Sequence, residues 1–199
     1  MTKKEIIWRE ILWQFRQNKK TLFQQKELAK KFGFSLSTVF NALKIPRSSG
    51  IINVTGRNFT LRDYNKFLYL WASHRRIDKD ILYKARLNIT SAEAESLMPP
   101  DIIYGLFSAF KFQYGSAPAE YDHLYIYADK KSVTEINRRI GEMKTDSKNP
   151  NFFIIVKDKW LADYDDKSTI SEQIFVDIWS TQEWYGKDFI KELNEKLLA

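Results

Sequence analysis

The first part of the chain alternates between helical and strand periodicity. Between Lys3 and Asn18, apolar residues recur every three or four positions with charged and amide residues between them, which is the pattern of an amphipathic helix. The apolar positions are Ile7, Trp8, Ile11, Leu12 and Phe15. The pattern therefore predicts one helix with a single buried face.

Two further helices joined by a tight turn are predicted between residues 21 and 50. Gly33 separates them, because glycine readily adopts the left-handed conformation that ends a helix. Ser35 supplies a hydroxyl that can cap the next helix, and Pro46 is expected to stop that helix. The inner faces are formed by Leu28, Ala29 and Phe32 in the first helix and by Val39, Ala42 and Leu43 in the second.

The pattern changes to that of strands after Pro46. Two short β-prone runs, 51–54 and 58–61, flank a turn in which Gly56 supplies the permissive position. Residues 63–76 then return to a helical pattern. A hairpin that directly follows two helices joined by a tight turn predicts a winged helix-turn-helix over residues 1–76.

Strands and helices interleave in residues 77–199, which predicts a second, α/β domain with a mixed sheet and flanking helices. The whole chain is therefore expected to belong to the α+β class. Strands are predicted at 80–89, 124–128, 152–156 and 174–179. Helices are predicted at 91–98, where Ser91 is the expected cap, and at 100–114, 132–143 and 182–198.

Charge supports a division into two domains. Residues 1–76 contain 16 basic and 4 acidic residues, whereas residues 77–199 contain 16 basic and 21 acidic residues. A concentrated positive field is what a protein surface needs to displace counterions from phosphates. The charge pattern therefore indicates a polyanion-binding surface in the first domain, and together with the winged helix-turn-helix pattern it predicts double-stranded DNA as the partner.

Composition excludes several kinds of chemistry. The chain has no cysteine, so disulfides and thiolate metal sites cannot form, and its two histidines lie far apart in sequence. No apolar stretch is long enough for a transmembrane helix, and Arg9 and Glu10 interrupt the N-terminal apolar run that could resemble a signal peptide. We expect a cytoplasmic protein without a membrane partner, without a metal or cofactor, and without enzymatic activity.

The second of the two joined helices is expected to read DNA. A rotation of 100° per residue places Ser37, Asn41 and Lys44 opposite its buried face, with Leu36 and Phe40 at the edge. The predicted DNA-binding residues are Lys30, Lys31, Ser35, Leu36, Ser37, Thr38, Phe40, Asn41, Lys44, Arg47 and Arg57.

Each residue type has a distinct expected contact. Asn41 can form a bidentate contact with adenine, and Phe40 or Leu36 can touch a thymine methyl group. Phosphates suit Thr38, which is near the helix N-terminus, and the basic residues Lys30, Lys31 and Arg47 around the helix. Arg57, at the hairpin tip, is placed to enter a minor groove or to hold the backbone.

The segment LAKKFGFSLSTVFNALK resembles the helix-turn-helix of prokaryotic transcription regulators, and with the hairpin the resemblance covers about sixty residues. It implies a sequence-specific regulator. Many such proteins dimerise to read two half-sites, so a homodimer stays open.

The second domain resembles that of AbiEi-type antitoxins of type IV toxin–antitoxin systems. The matching features are a helix with Gly105, Ser108 and Ala109, a strand at 124–128, and a late strand at 176–178 that carries Asp177. The resemblance implies a repressor that regulates its own operon and counteracts a nucleotidyltransferase-like toxin. The toxin or the toxin's substrate would then be a partner, without a need for stable binding to the toxin.

Two alternatives remain open. Nucleotidyltransferases hold Mg²⁺ with carboxylates that follow a Gly-Ser pair, and this chain offers Gly115-Ser116, then Glu120, Asp122 and Asp177 as candidate catalytic residues. The Gly-Ser pair lies unusually close to the first carboxylate, and no basic residue is evident for the phosphates. A replication or partition protein is the other alternative, but the chain has no ATP-binding loop.

Overall fold

The computed structural model describes residues 1–146 and 148–198. The chain divides into two compact units, Met1–Arg75 and Arg76–Ala199. Helices and two sheets occur together, so the chain has the α+β class that the sequence predicts. Within the described residues, no helix is both long and apolar enough to span a membrane.

The first unit consists of helices packed on a small antiparallel sheet with the strand order β1-β3-β2. Along the chain its elements are α1 (Lys3–Asn18), β1 (Leu22–Gln24), α2 (Gln25–Phe32), α3 (Leu36–Ser48), β2 (Ile52–Thr55), β3 (Asn58–Leu61) and α4 (Tyr64–His74). The bounds of α1 agree with the predicted helix. Thr2 and Glu5 form a reciprocal capping box that fixes its start.

Strand β1 was not predicted. It has only three residues, which is too short for a period to be recognised, and it exists because it pairs with β3, with Leu22 opposite Thr60 and Gln24 opposite Asn58. The long-range partner, rather than the local sequence, decides this strand. It ties the start of α2 to the hairpin formed by β2 and β3.

Helix α3 continues through Pro46 to Ser48, so the prediction that Pro46 stops the helix was wrong. A proline at position 46 lacks the N–H that would bond to the carbonyl of Ala42 one turn earlier. The indole Nε1 of Trp8 donates to that carbonyl at 2.8 Å, and the interaction is buried. Trp8 of α1 thus replaces the missing intrahelical bond, and the helix can pass the proline.

The second unit contains a mixed sheet with the strand order β5-β6-β8-β4-β7, in which β6 and β8 are parallel and the other pairs are antiparallel. Its strands are β4 (Ile81–Leu87), β5 (Ile103–Tyr104), β6 (Leu124–Ala128), β7 (Lys144–Thr145) and β8 (Phe152–Val156). Its α-helices are α5 (Ser91–Ser96), α6 (Leu106–Tyr114), α7 (Ser132–Arg139), α8 (Ser171–Trp179) and α9 (Gly186–Leu198). Short 3₁₀ turns lie at Ile77–Asp80, Gly141–Met143 and Leu161–Asp163.

One face of this sheet forms a continuous apolar core with α5 and α7. Leu124 and Ile126 of β6 and Phe152 and Ile154 of β8 pack there with Ile136 of α7. Residues two apart in a strand share a face, so the alternate residues of β6 and β8 point to the opposite side. Those residues include Tyr125, Tyr127 and Phe153.

The prediction of a strand at 174–179 was wrong, because this segment belongs to helix α8. Every side chain from Ser171 to Ile178 is buried. A short apolar run that is buried on all sides has no visible period, so the sequence alone cannot distinguish helix from strand. Here the tertiary packing favours the helix.

Smaller differences concern element boundaries. The predicted helix at 100–114 starts only at Leu106, because Ile103 and Tyr104 form β5 opposite Tyr127 and Ile126. The cap of α5 is Thr90 instead of Ser91. The last predicted helices are also shorter than expected: α7 ends at Arg139 and α9 begins at Gly186.

Candidate nucleic-acid interface

The outer face of α3 carries the predicted DNA-reading side chains in accessible positions. Val39, Ala42 and Leu43 are buried, as their predicted inward orientation requires. Leu36 and Phe40 keep 56% and 47% of their surface exposed, although they are large and apolar. The polar and basic residues Ser37, Asn41, Lys44 and Arg47 on the same helix are exposed as well.

Ser35 is the cap of α3. Its hydroxyl accepts from the backbone N–H of Thr38 at 3.2 Å, and it lies 2.9 Å from the hydroxyls of both Ser37 and Thr38. The sequence therefore identified the capping residue correctly. Thr38 is half-buried and is held by this cap, so its hydroxyl is less accessible than that of Ser37.

A groove of about 690 Å³ runs beside α3. Its walls come from three separate elements: the start of α2, the exposed edge of α3 and the tip of the hairpin. Its lining residues are Gln25, Lys26, Leu36, Ser37, Phe40, Gly56 and Arg57. Residues that are up to 32 positions apart in sequence thus share one concave surface.

A second hollow of about 280 Å³ continues along α3 toward its C-terminus. It is lined by Gln25, Phe40, Leu43, Lys44, Arg47, Ser48 and Val54. Phe40 and Gln25 line both hollows. Phe40 therefore lies where the two hollows meet. Its ring also lies 5.6 Å from the ammonium group of Lys44.

The hairpin tip is anchored to α2. Gly56 has a φ of +61°, which lets two residues connect Thr55 to Asn58. The backbone N–H of Gln25 donates to the carbonyl of Arg57 at 3.4 Å. This bond and the pairing of β1 with β3 place the Arg57 side chain at the edge of the groove.

The basic residues around the groove keep their charge available. No acidic side chain of the described residues forms an ion pair with Lys26, Lys44, Arg47 or Arg57, which line the two hollows, or with Lys30, which is exposed on α2 but lines neither. Every acidic residue of the first unit is engaged elsewhere. The acidic contacts are Glu5 with Arg75 (3.6 Å), Glu10 with Lys31 (2.6 Å), Glu27 with Lys20 (3.1 Å) and Asp63 with the backbone N–H of Lys66 (2.8 Å).

Lys31 differs from the other basic residues that the sequence selected for phosphate contact. Its ammonium group lies 2.6 Å from the carboxylate of Glu10, whose side chain is only 2% exposed. It also lies over the rings of Trp13 and Phe32. Lys31 therefore neutralises a buried carboxylate of the same unit, a role that the sequence did not indicate.

Sequence reasoning did not include six of the lining residues among the DNA-binding residues: Gln25, Lys26, Leu43, Ser48, Val54 and Gly56. Gln25 and Lys26 begin α2, and the N-terminal N–H groups and dipole of a helix favour anions. The polar residues before Leu28 were the available signal for an exposed helix start. The sequence could not place this helix start beside α3, because its position depends on the pairing of β1 with β3, which was not predicted.

The three carboxylates of the nucleotidyltransferase alternative do not form a common site. Glu120 and Asp122 are exposed residues of the segment before β6, while Asp177 is fully buried in α8 and accepts from the hydroxyl of Tyr127. No group of three acidic or histidine side chains in the described parts of the chain is arranged to hold a metal ion. Asp122 instead accepts from the Tyr185 hydroxyl at 3.1 Å.

A second polar cluster lies around Glu183. His123 Nδ1 and the Tyr125 hydroxyl lie 2.8 and 2.6 Å from the same carboxylate oxygen. Burial would by itself raise the pKa of Glu183, but hydrogen bonds from His123, Tyr125 and Thr181 outweigh it and lower this pKa to about 2. Burial, reinforced by the negative charge of Glu183, raises the pKa of Tyr125. Glu183 is thus an anion and Tyr125 a neutral donor.

The segments that carry the antitoxin resemblance pack against one another. A Cβ at Gly105 would lie 2.9 Å from Cε2 of Tyr127, so this position has no room for a larger residue. The hydroxyl of Tyr127 donates to Asp177. Gly105, Tyr127 and Asp177 therefore link the start of α6 to β6 and α8, and the late segment is a helix where the resemblance implies a strand.

We found no match between this chain and any protein family, curated protein or solved structure. The fold and the site define an α+β protein of two compact units. Its first unit has a basic groove between α3, the start of α2 and the hairpin, and the function proposed below rests on this groove.

Proposed function

We propose that the protein is a sequence-specific transcription regulator that binds duplex DNA through a winged helix-turn-helix in its first unit. One observation carries the proposal: the exposed face of α3, the start of α2 and the hairpin tip meet at one groove with polar, apolar and unpaired basic side chains. The order of helix, strand, two helices and hairpin supports the assignment of this motif.

The charge distribution supports a polyanionic partner. The first unit contains 15 basic and 4 acidic residues, a net charge of +11. Its acidic side chains are used in capping and ion pairs, so the basic residues at the groove have no internal counterion. Such groups gain free energy when they replace the counterions that are condensed on DNA phosphates.

The proposed contacts follow from side-chain chemistry. Asn41, exposed on the outer face of α3, offers the donor and acceptor that match the N7 and N6 atoms of adenine in the major groove. Arg57 at the hairpin tip and Lys26 at the start of α2 line the same groove beside α3 and contact phosphates there. Lys31 is removed from the set of phosphate ligands because it neutralises Glu10.

The test is selection from a randomised duplex pool with the full-length chain. We expect the wild type to enrich a defined sequence and Asn41→Ala to lose most of that enrichment, with a loss of about 1–3 kcal/mol in discrimination at the contacted base pair. Asn65→Ala, at an exposed asparagine of α4, is the matched control. Enrichment that is identical in all three proteins, or absent from all of them, would contradict the proposal that α3 reads the DNA sequence.

The antitoxin role of the second unit stays a prediction that rests on the resemblance. Its support is that Gly105, Tyr127 and Asp177, which belong to the three matching segments, pack together. The helical conformation of α8 departs from the family pattern. Growth rescue of cells that express a toxin encoded beside the gene would test this role, and a lack of rescue would remove it.

A further inference from the structure

Phe40 and Leu36 are exposed apolar side chains in the middle of a polar and basic surface. They are four residues apart on α3, so they are neighbours on the helix surface. Both line the larger groove, and Phe40 also lines the second hollow. Apolar surface that is exposed at the centre of a concave site is a common mark of a binding surface.

The surroundings of these two residues indicate what kind of molecule covers them. Lys26, Lys44, Arg47 and Arg57 lie around the pair as basic residues without an ion-pair partner among the described residues. A partner must therefore present negative charge at its rim and an apolar group at its centre. Duplex DNA meets both requirements, because phosphates border a major groove whose one apolar group is the C5-methyl of thymine.

We infer that Phe40, assisted by Leu36, selects DNA sites by contact with the C5-methyl group of thymine. This inference rests on the proposed function, since it assumes that α3 enters the major groove. It adds a second determinant of sequence specificity. The contact of Phe40 with the methyl group excludes water, whereas Asn41 selects its base by hydrogen bonds. A cytosine at the same position offers a polar amine and no methyl group, so it leaves the ring uncovered.

The magnitude follows from the burial of one methyl group. Removal of about one buried CH₂ or CH₃ group from a contact corresponds to about a fourfold change in an equilibrium constant. Uracil has the same hydrogen-bonding groups as thymine and lacks only the methyl group. Replacement of thymine by deoxyuridine in a bound duplex therefore tests this contact without a change in donors or acceptors.

The experiment uses the full-length chain and the duplex that it selects from a randomised pool. Each thymine is replaced singly by deoxyuridine, and equilibrium affinity is measured for every duplex. We expect one or two thymines whose replacement weakens binding about fourfold each. Phe40→Ala should lose most of the discrimination between the thymine and deoxyuridine duplexes, because only Leu36 then remains as an apolar partner for the methyl group.

Two further variants make the result specific. Ile45→Ala removes a side chain that is 37% exposed on the same helix but lines neither hollow, so it should retain the full discrimination. Phe40→Leu keeps an apolar side chain and should retain part of the difference in affinity between the thymine and deoxyuridine duplexes. This variant allows the difference to be measured if Phe40→Ala binds DNA too weakly.

The outcomes separate this inference from the proposed function. Equal affinity for every deoxyuridine duplex, with an enrichment that still depends on Asn41, would overturn thymine-methyl selection and leave DNA reading intact. Discrimination that survives undiminished in Phe40→Ala would overturn the role of Phe40. A failure to bind any duplex with sequence preference would reject both proposals and favour an acidic protein surface as the molecule that covers Phe40.

Discussion

At the scale of single residues, Glu183 shows how neighbours determine the charge of a buried group. The Glu183 carboxylate lies in the segment between α8 and α9. It accepts hydrogen bonds from Tyr125 of β6 and from His123, the residue directly before β6. These donors lower its pKa to about 2, from an ordinary value of 4.5. Its negative charge is therefore part of the folded structure at neutral pH.

A lowered pKa in the folded state makes stability depend on pH in a definite direction. The stabilising contribution of Glu183 is fully present above pH 4.5 and is lost as the pH falls from 4.5 toward 2. We therefore expect Glu183→Gln to be less stable than the wild type at pH 6, with a difference that shrinks steadily between pH 4.5 and pH 2. Urea unfolding at a series of pH values measures this difference.

The control for removal of a carboxylate is Glu195→Gln, at an exposed glutamate of α9. A stability difference between the wild type and Glu183→Gln that stays constant from pH 6 to pH 2 would contradict the assignment of the lowered pKa to these hydrogen bonds.

At the scale of elements, α1 and α3 are joined by a bond that compensates for a proline. The carbonyl of Ala42 receives the indole N–H of Trp8 because Pro46 cannot supply a backbone N–H. The Trp8 ring also contacts Phe67 of α4 edge-on at 5.7 Å. One side chain of α1 thus holds in place the helix that carries the candidate DNA-reading face.

This compensation predicts that Trp8 and Pro46 are coupled. Trp8→Phe should destabilise the fold, partly because it leaves the buried Ala42 carbonyl without a donor, at a cost of about 1–3 kcal/mol. Pro46→Ala restores an N–H that can bond to that carbonyl. We expect Trp8→Phe to cost about 1 kcal/mol less in the Pro46→Ala background, measured by a double-mutant cycle in urea. Additive effects would show that the bond does not compensate for the proline.

At the scale of the whole molecule, charge is divided unequally between the two units. The first unit has a net charge of +11, while Arg76–Ala199 contains 17 basic and 21 acidic residues, a net charge of −4. A uniform basic surface would serve only non-specific association. The basic residues of the first unit instead have two roles: those that line the groove have no ion-pair partner among the described residues, whereas Lys31 neutralises a buried carboxylate.

This distinction can be measured with the salt dependence of DNA binding. Arg57→Ala and Lys26→Ala should each weaken binding to all sequences and reduce the slope of log affinity against log salt by about one. Lys31→Ala should leave that slope nearly unchanged. It should instead lower the free energy of unfolding by about 1–3 kcal/mol, because the buried Glu10 loses its 2.6 Å contact with the Lys31 ammonium group.

Lys187→Ala, which removes one exposed positive charge from α9, is the control for net charge. A reduction of the slope by Lys31→Ala that equals the reduction by Arg57→Ala would contradict the separation of the two roles.

The sequence by itself determined the elements that have a clear period and a local stop signal. Helix α1, the turn at Gly33, the Ser35 cap, the hairpin around Gly56 and strands β6 and β8 were predicted, because their apolar periodicity, glycine conformation and capping chemistry are properties of neighbouring residues. The exposed positions of α3 followed from the same helical geometry.

Tertiary structure decided the features that depend on distant partners. Strand β1 exists through its pairing with β3, α3 passes Pro46 because Trp8 supplies a donor, and α8 is a helix because it is buried on all sides. The same holds for the site. Gln25 and Lys26 lie in the same groove as Phe40 because β1 pairs with β3, and Lys31 forms an ion pair with the buried Glu10. Local sequence carries no record of these contacts, since each depends on a residue that only folding brings near.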